Sequence, residues 1–337
     1  MKRTGMITPS SLVRRFVPFA APEGAGGLAP VEPARRLFPG LPFPTLPFAG
    51  RALPGLPGIR LPAGAPAPAT LGRIGDLEVR LARSAAEVRR AQALRYSVFY
   101  EEMSAIADAL TLVSRRDADA FDPICDHVLV LDHGAPARPF RRRKPDVVGT
   151  YRLLRQSVAD RHGGFYSAGE FDLQPLLDRH AGLAFLELGR SCVLPPYRTK
   201  RTVELLWHGI WSYVLAHGVD VMIGCASLEG TDPDRLALPL SFLHHYARAP
   251  EPWRVNALPE RAVAMNRMAK EAVDPRAALH ALPPLIKGYL RLGAYIGEDA
   301  VVDHQFGTTD VLIVMPVSAL NPRYVSYYGA DASRHAS

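Results

Sequence analysis

The sequence is short of cysteine, of long apolar runs and of charge imbalance beyond its first quarter, and each shortage excludes something. Its three cysteines, Cys125, Cys192 and Cys225, stand far apart in or beside apolar runs. No Cys-x-x-Cys pair or Cys/His group has metal-ligand spacing, so zinc drops out and buried thiols in a reducing compartment remain. No apolar segment reaches the roughly 18 residues that a membrane helix needs, and the N-terminus lacks the apolar core and cleavage site of a signal peptide. Both point to the cytoplasm. The carboxylates Asp117, Asp119, Asp122 and Asp126 lack the order and closing glutamate of an EF-hand, and no metal is expected. They read as a solvated acidic loop or as a binding place for an amine.

The formal charge of +7 hints at a polyanion until it is divided along the chain. Residues 1–75 hold nine Lys and Arg against two Glu, a surplus of seven, so residues 76–337 balance to zero. A neutral globular part demands no nucleic acid, and the basic tail is either solvated or in peripheral contact with anionic lipid at the inner membrane.

What is present begins with proline. Leu-Pro recurs at Leu41, Leu46, Leu53, Leu56 and Leu61, which removes backbone donors and leaves residues 1–75 as a Pro-rich irregular tail. Residues 76–320 read as one folded domain and 321–337 as a loose tail. The 48% hydrophobic content is enough for a sizeable core. A strand at Leu77–Leu81 precedes Ser84-Ala-Ala-Glu87, a capping box, and a helix to about Glu102 with Val88, Ala91, Leu94, Val98 and Phe99 on one face. Further strands are expected at His127–Asp132, Asp146–Leu154, Val219–Cys225 and Asp310–Met315. Helices are expected after Phe171, from about Asp234 to Tyr246, and after Pro284 until Gly293 or Gly297. Arg138 to Lys144 is a basic loop, either a solvated hairpin or a landing site for an acidic carrier protein.

The centre of the chain is Phe185 to Tyr213. An apolar strand carrying Glu187 and Arg190 passes through Pro195-Pro196 and the basic residues Arg198, Lys200 and Arg201 into an apolar-periodic helix. A helix N-terminus leaves N–H groups unpaired at the positive end of its dipole and can hold a phosphate. The turn lacks the Gln/Arg-x-x-Gly-x-Gly/Ala signature that wraps a coenzyme A pyrophosphate, so a phosphopantetheine arm on a protein suits it better. Glu187, set between Leu186 and Leu188, reads as a base for an ammonium group or as half of an ion pair with an arginine on a neighbouring strand. His127 and Asp132 also form a His-x-x-x-x-Asp spacing, although Val-Leu-Val-Leu between them suits a core strand.

ELGRSCVLPPYR from Glu187, RYSVF at Arg95–Phe99, GEFDL at Gly169–Leu173, LIKGYLRLGA and DHQFGTTDV together resemble the ornithine-lipid-forming N-acyltransferases. These are hemolysin-like GNAT proteins related to the acyl-homoserine-lactone synthases, and the resemblance covers about Leu77 to Pro316. It implies an α/β, GNAT-type acyltransferase fold with a mixed central sheet and flanking helices. It also implies transfer of a 3-hydroxyacyl chain from acyl carrier protein to the α-amine of L-ornithine, with no cofactor beyond the donor's phosphopantetheine. On the matching motifs, Glu187 and Arg190 would be catalytic, with Glu187 taking the ammonium proton. Arg95, Phe99, Asp119, Asp122 and Arg152 would bind substrate, Asp119 and Asp122 suiting the second amine. Val193, Arg198, Lys200 and Arg201 would serve the donor. A different amino acid, a lactone-type product, or a non-catalytic carrier- or lipid-binding protein are the alternatives, and the lack of tryptophan before Trp207 places lactone synthesis second.

Overall fold

The computed structural model describes residues 70–134 and 144–320. The tail before Thr70, the basic cluster from Arg138 up to Arg143 and the stretch after Leu320 lie outside the described residues, and with them the lipid and carrier contacts expected there. Order starts earlier than the proline pattern implied. Strand β1 (Gly72–Ile74) pairs antiparallel with β2 (Leu77–Leu81). Three residues carry too little alternation to be read alone, and β2 supplies their hydrogen bonds.

Helix α1 (Ala85–Tyr96) starts as expected. Ser84 Oγ accepts the Glu87 N–H at 3.3 Å, and Glu87 Oε2 accepts the Arg83 N–H at 2.8 Å. Its continuation over Ser97–Glu102 is a π-helical turn. After the short helix α2 (Ala109–Ser114) come β3 (Asp126–Asp132), β4 (Asp146–Arg155), the helical turn α3 (Gln156–Ala159), α4 (Gln174–Arg179) and β5 (Phe185–Val193). Helix α5 (Lys200–His217) leads into β6 (Val221–Glu229), followed by α6 (Ala237–Tyr246), β7 (Ala262–Ala264), α7 (Pro275–Ala281) and α8 (Pro284–Leu292). Strands β8 (Tyr295–Asp303) and β9 (Thr308–Pro316) finish the sheet. Gly293, at φ 99°, caps α8 in the left-handed region, so Tyr295 onward is free to be the strand that the helical pattern had partly hidden.

The described strands form one sheet in the order β1-β2-β3-β4-β5-β6-β9-β8-β7. Neighbours run antiparallel except β5 and β6, which are parallel. This is the mixed sheet with flanking helices expected from the sequence. Because side chains alternate across a strand, Val128, Val130, Leu153, Leu186, Met222, Val311 and Ile313 cover one face and pack with Leu205, Ile210 and Val214 of α5 and Ile286 of α8. Phe185, Ile223, Leu312 and Val314 face the other side, with Phe165, Phe171 and Leu176 from the connection after β4. Leu129 and Leu131 meet Ala91 and Leu94 of α1.

The same alternation removes the His127/Asp132 pair. Five positions apart, the two side chains leave opposite faces of β3. His127 Nε2 bonds the Asp122 carbonyl at 2.9 Å, and Asp132 accepts the Tyr197 hydroxyl at 2.6 Å.

Candidate active site

The parallel pair β5 and β6 is joined only over Phe185–Glu187 and Val221–Ile223. Beyond that point β5 stays with β4 and β6 stays with β9, so the sheet opens into a V. The apex is tight: a Cβ on Gly224 would stand 2.2 Å from the Leu188 carbonyl oxygen. A glycine is required there because the two backbones touch before they part.

A cavity of about 510 Å³ occupies the V and draws its wall from both faces of the sheet. Leu206, Trp207, Leu285 and Tyr289 line it on the side of α5 and α8; Arg152, Tyr166, Ser167, Glu187 and Cys225 line it on the other. The first side is largely apolar, with Trp207 edge-on to Tyr289 at 5.8 Å and the Tyr151 and Tyr289 hydroxyls 2.8 Å apart. An acyl chain fits the chemistry of that wall; an amino acid fits the other.

Glu187 sits at the apex, 5% exposed. Its Oε2 accepts the Tyr166 N–H at 2.8 Å, and its Oε1 accepts the Ser167 N–H at 2.7 Å together with the Ser167 hydroxyl. No arginine pairs with it among the described residues, so the ion-pair alternative is not what the strand provides. Burial pushes its proton affinity up, and the donors from Ser167 and Tyr166 offset this only in part. A carboxylate held in place by neutral donors, with raised basicity and an open cavity in front, has the properties of a general base.

Next to it β5 bulges. Thr150 faces Cys192 and Arg152 faces Gly189, so Tyr151 alone opposes Arg190 and Ser191. Arg190 takes φ 50°, a conformation that costs a non-glycine residue about 1–2 kcal/mol. Its guanidinium is clamped between the Tyr166 and Phe306 rings, at 4.8 and 5.0 Å, which holds the bulge in place. Past the bulge, the Leu194 N–H donates to the Val148 carbonyl at 2.9 Å. Gly149 and Val193 are therefore a non-hydrogen-bonded pair, and the Val193 N–H and C=O point away from β4 into the gap. The carbonyl is taken by Arg198 Nε at 3.0 Å. The N–H is left facing the cavity.

The remaining charged positions form a lattice. Arg95 binds Asp122 through two bonds of 2.8 Å and Asp117 at 2.8 Å. Arg152 binds Asp119 at 2.6 and 2.7 Å and reaches Asp122 at 3.3 Å. Arg190 closes the set on Asp117 and Asp119, both at 3.3 Å. Burial alone would raise the Asp122 carboxyl, but Arg95 overrides it and holds the group well below the usual range. Arg95, Asp119 and Asp122 are absent from the cavity wall, which corrects their reading as substrate ligands. The cations that the acidic run accommodates are the chain's own arginines, which no spacing rule could foresee. Arg152, Arg190 and Phe99 do line the cavity, Phe99 lying edge-on to Phe306 at 5.7 Å.

The donor set also changes. Arg198 is held by Glu102 at 2.5 and 2.6 Å, and Lys200 lies 3.5 Å from Glu204. Both line the cavity, but Arg201 does not; its guanidinium lies beside Gly75 in the β1–β2 turn. Lys287 and Arg291 of α8, not singled out in the sequence, line the same mouth. The glutamate clamp from Tyr166 and Ser167 was also missed, since two polar loop residues carry no pattern. Burial pushes the Cys192 thiol far above its ordinary value and the Cys125 thiol up to about 12, so neither is a nucleophile. Among the described residues no helix is long and apolar enough to cross a membrane.

Residues 94–208 match the family model for the acetyltransferase (GNAT) domain. The chain is 57% identical over 279 residues to an L-ornithine N(alpha)-acyltransferase of Rhizobium meliloti (strain 1021), covering 83% of this chain and 93% of that protein. It is 55% identical over 264 residues to the protein of that name from Brucella abortus (strain 2308), covering 78% and 92%. Among solved structures, FeeM, an N-acyl amino acid synthase from uncultured soil microbes, aligns with 10% identity over 77% of this chain and 97% of that one. Its TM-score of 0.39 is too low to carry an argument. With a GNAT domain match that takes in β5 and such identity over most of its length, the chain belongs to the L-ornithine N(alpha)-acyltransferase family.

Proposed function

We propose that the protein transfers a 3-hydroxyacyl chain from the phosphopantetheine thiol of acyl carrier protein to the α-amine of L-ornithine, the first step of ornithine lipid synthesis. The observation that carries this reading is the buried carboxylate Glu187 at the apex of an open V, paired with no arginine among the described residues, in a chain more than half identical to proteins named for acyl transfer to the α-nitrogen of L-ornithine. The thioester arm enters past Arg198, Lys200, Lys287 and Arg291, whose charge suits a phosphate and an acidic carrier surface. The acyl chain lies against Leu206, Trp207 and Tyr289.

Glu187 takes one proton from the α-ammonium, and the freed nitrogen attacks the thioester carbonyl. The Val193 N–H holds the developing oxyanion, a contribution on the order of 3 kcal/mol for one well-placed donor. Collapse expels the thiolate as the nitrogen gives up a second proton. One of the two protons ends on the thiol and the other in solvent. Arg190 and Arg152, the cations in the acceptor-side wall, meet the amino acid's carboxylate. No covalent acyl-enzyme is needed.

The test is release of free carrier thiol by the purified protein supplied with 3-hydroxyacyl carrier protein. Release that requires ornithine and yields its α-N-acyl product supports the reading. Release at the same rate without an amino acid, or none at all, overturns it.

A further inference from the structure

The DHQFGTTDV segment forms the β8–β9 hairpin, and its last aspartate enters the cavity. Asp310 lines the wall opposite the bulge of β5, together with Ser227 and Cys225 of β6. It is 7% exposed, and the Thr308 hydroxyl donates to Oδ1 at 2.8 Å. Among the described residues no lysine, arginine or histidine pairs with it, unlike every aspartate of the lattice across the cavity. Behind it stands Glu170, 6% exposed, which accepts from Cys225 Sγ at 3.4 Å and lies 3.3 Å from Arg261. Ligand atoms of Glu170, Cys225 and Asp310 all fall within 4.8 Å of one another.

Two buried carboxylates that close repel each other and bind protons more readily than usual. Burial is the larger cause for both; the Asp310 charge adds to it at Glu170, and the Asp303 charge adds to it at Asp310, where the Ser227 and Thr308 hydroxyls offset it in part. An arriving cation relieves both penalties. Oxygens 4.8 Å apart or less can each sit about 2.8 Å from a single nitrogen, so the gap matches an ammonium. A hard divalent ion would want six or more oxygens, and a soft one a thiolate. Here there are two carboxylates and a thiol that burial keeps protonated.

We propose that Asp310, backed by Glu170, receives the side-chain ammonium of the acceptor amino acid and so selects a diamino acid. This rests on the acyltransferase reading above and adds the residue that recognises the acceptor. Position supports it. Glu187 is opposite Ile223, and Asp310 is opposite Ser227, four residues along β6. At about 3.3 Å per residue that is roughly 13 Å along the strand, and because β5 and β9 flank β6 on either side, about 10 Å across it, the two backbones are roughly 16 Å apart. An extended ornithine, with a contact at each amine, spans most of that distance once the side chains reach inward. The role first read onto Asp119 and Asp122 thus moves to the opposite wall, to a carboxylate that no arginine has neutralised.

The test compares kcat/KM for ornithine with that for norleucine, which has the same chain length without the charge, using 3-hydroxyacyl carrier protein as donor. Wild-type protein should favour ornithine strongly, and Asp310→Asn should cut the ornithine-to-norleucine ratio by about 100-fold, with a melting temperature close to wild type. An unchanged ratio in the variant overturns the proposal. So does wild-type protein that uses norleucine as well as ornithine, which needs no variant to fold. Loss of wild-type selectivity on chelation would assign the trio to a metal instead. Ornithine acylation with its preference intact in Asp310→Asn removes only this inference, whereas wild-type protein that acylates neither amino acid removes the acyltransferase reading with it.

Discussion

Replacing Asp122 by asparagine removes one charge from a lattice that is neutral as built, three arginines against three aspartates. The structure sets the size of the effect. Arg95 is fully buried and makes two of its shortest contacts, both 2.8 Å, to Asp122, while Arg152 touches the same carboxylate at 3.3 Å. Breaking a buried pair from one side costs about 3–5 kcal/mol because the other charge stays behind in low dielectric. Asparagine keeps one carbonyl acceptor and Asp117 still holds Arg95 Nε, so the lower end, about 3 kcal/mol, is expected. For a folded unit of this size that corresponds to a fall in Tm of about 6–12 °C. Urea unfolding should show a lower midpoint at unchanged slope. Asp122→Asn/Arg95→Met should recover part of the loss, since an apolar replacement leaves no bare charge. A loss under about 1 kcal/mol, or a double variant worse than the single by a full additive step, would refute the buried lattice.

Other outcomes follow from the same geometry. Asp119 and Asp122 have depressed proton affinities in the fold, so their stabilisation is complete above the ordinary value of 3.8 and is lost as pH falls further below it; acid titration followed by circular dichroism should show unfolding begin there. Glu187 is shifted the other way and must be ionised to act, so kcat/KM should drop on an acid limb centred above 4.5. Ser167→Ala removes one donor from that carboxylate and should move the limb to higher pH, read from a pH–rate profile. Gly224→Ala sets a methyl against the Leu188 carbonyl and should destabilise by about 1–3 kcal/mol, measured by denaturant unfolding, with activity falling as the V is forced wider.

The elements with a clear period or a cap were legible in the sequence: α1 from its capping box, β3 and β4 from apolar runs, and the β5–α5–β6 unit from the apolar strand, the paired prolines and the helical stripe. Glu187 was legible too, as a carboxylate between two leucines. What escaped depended on contacts between distant segments. β1 exists because β2 pairs with it, and β8 was hidden behind a helical pattern that Gly293 ends. The acidic run looked open to a ligand because nothing local reveals that Arg95, Arg152 and Arg190 converge on it from a helix and two strands. Asp310 read as the start of a strand, and only the V of the sheet turns it toward the cavity.

The most direct measurement is single-turnover acyl transfer from 3-hydroxyacyl carrier protein to ornithine by Glu187→Ala across pH. If Glu187 unloads the ammonium, transfer at neutral pH falls by about 10²–10⁴-fold, and the deficit shrinks as pH rises toward the pKa of the amine itself. A folded variant with wild-type rates, or a deficit that stays constant with pH, would contradict the role given to this carboxylate.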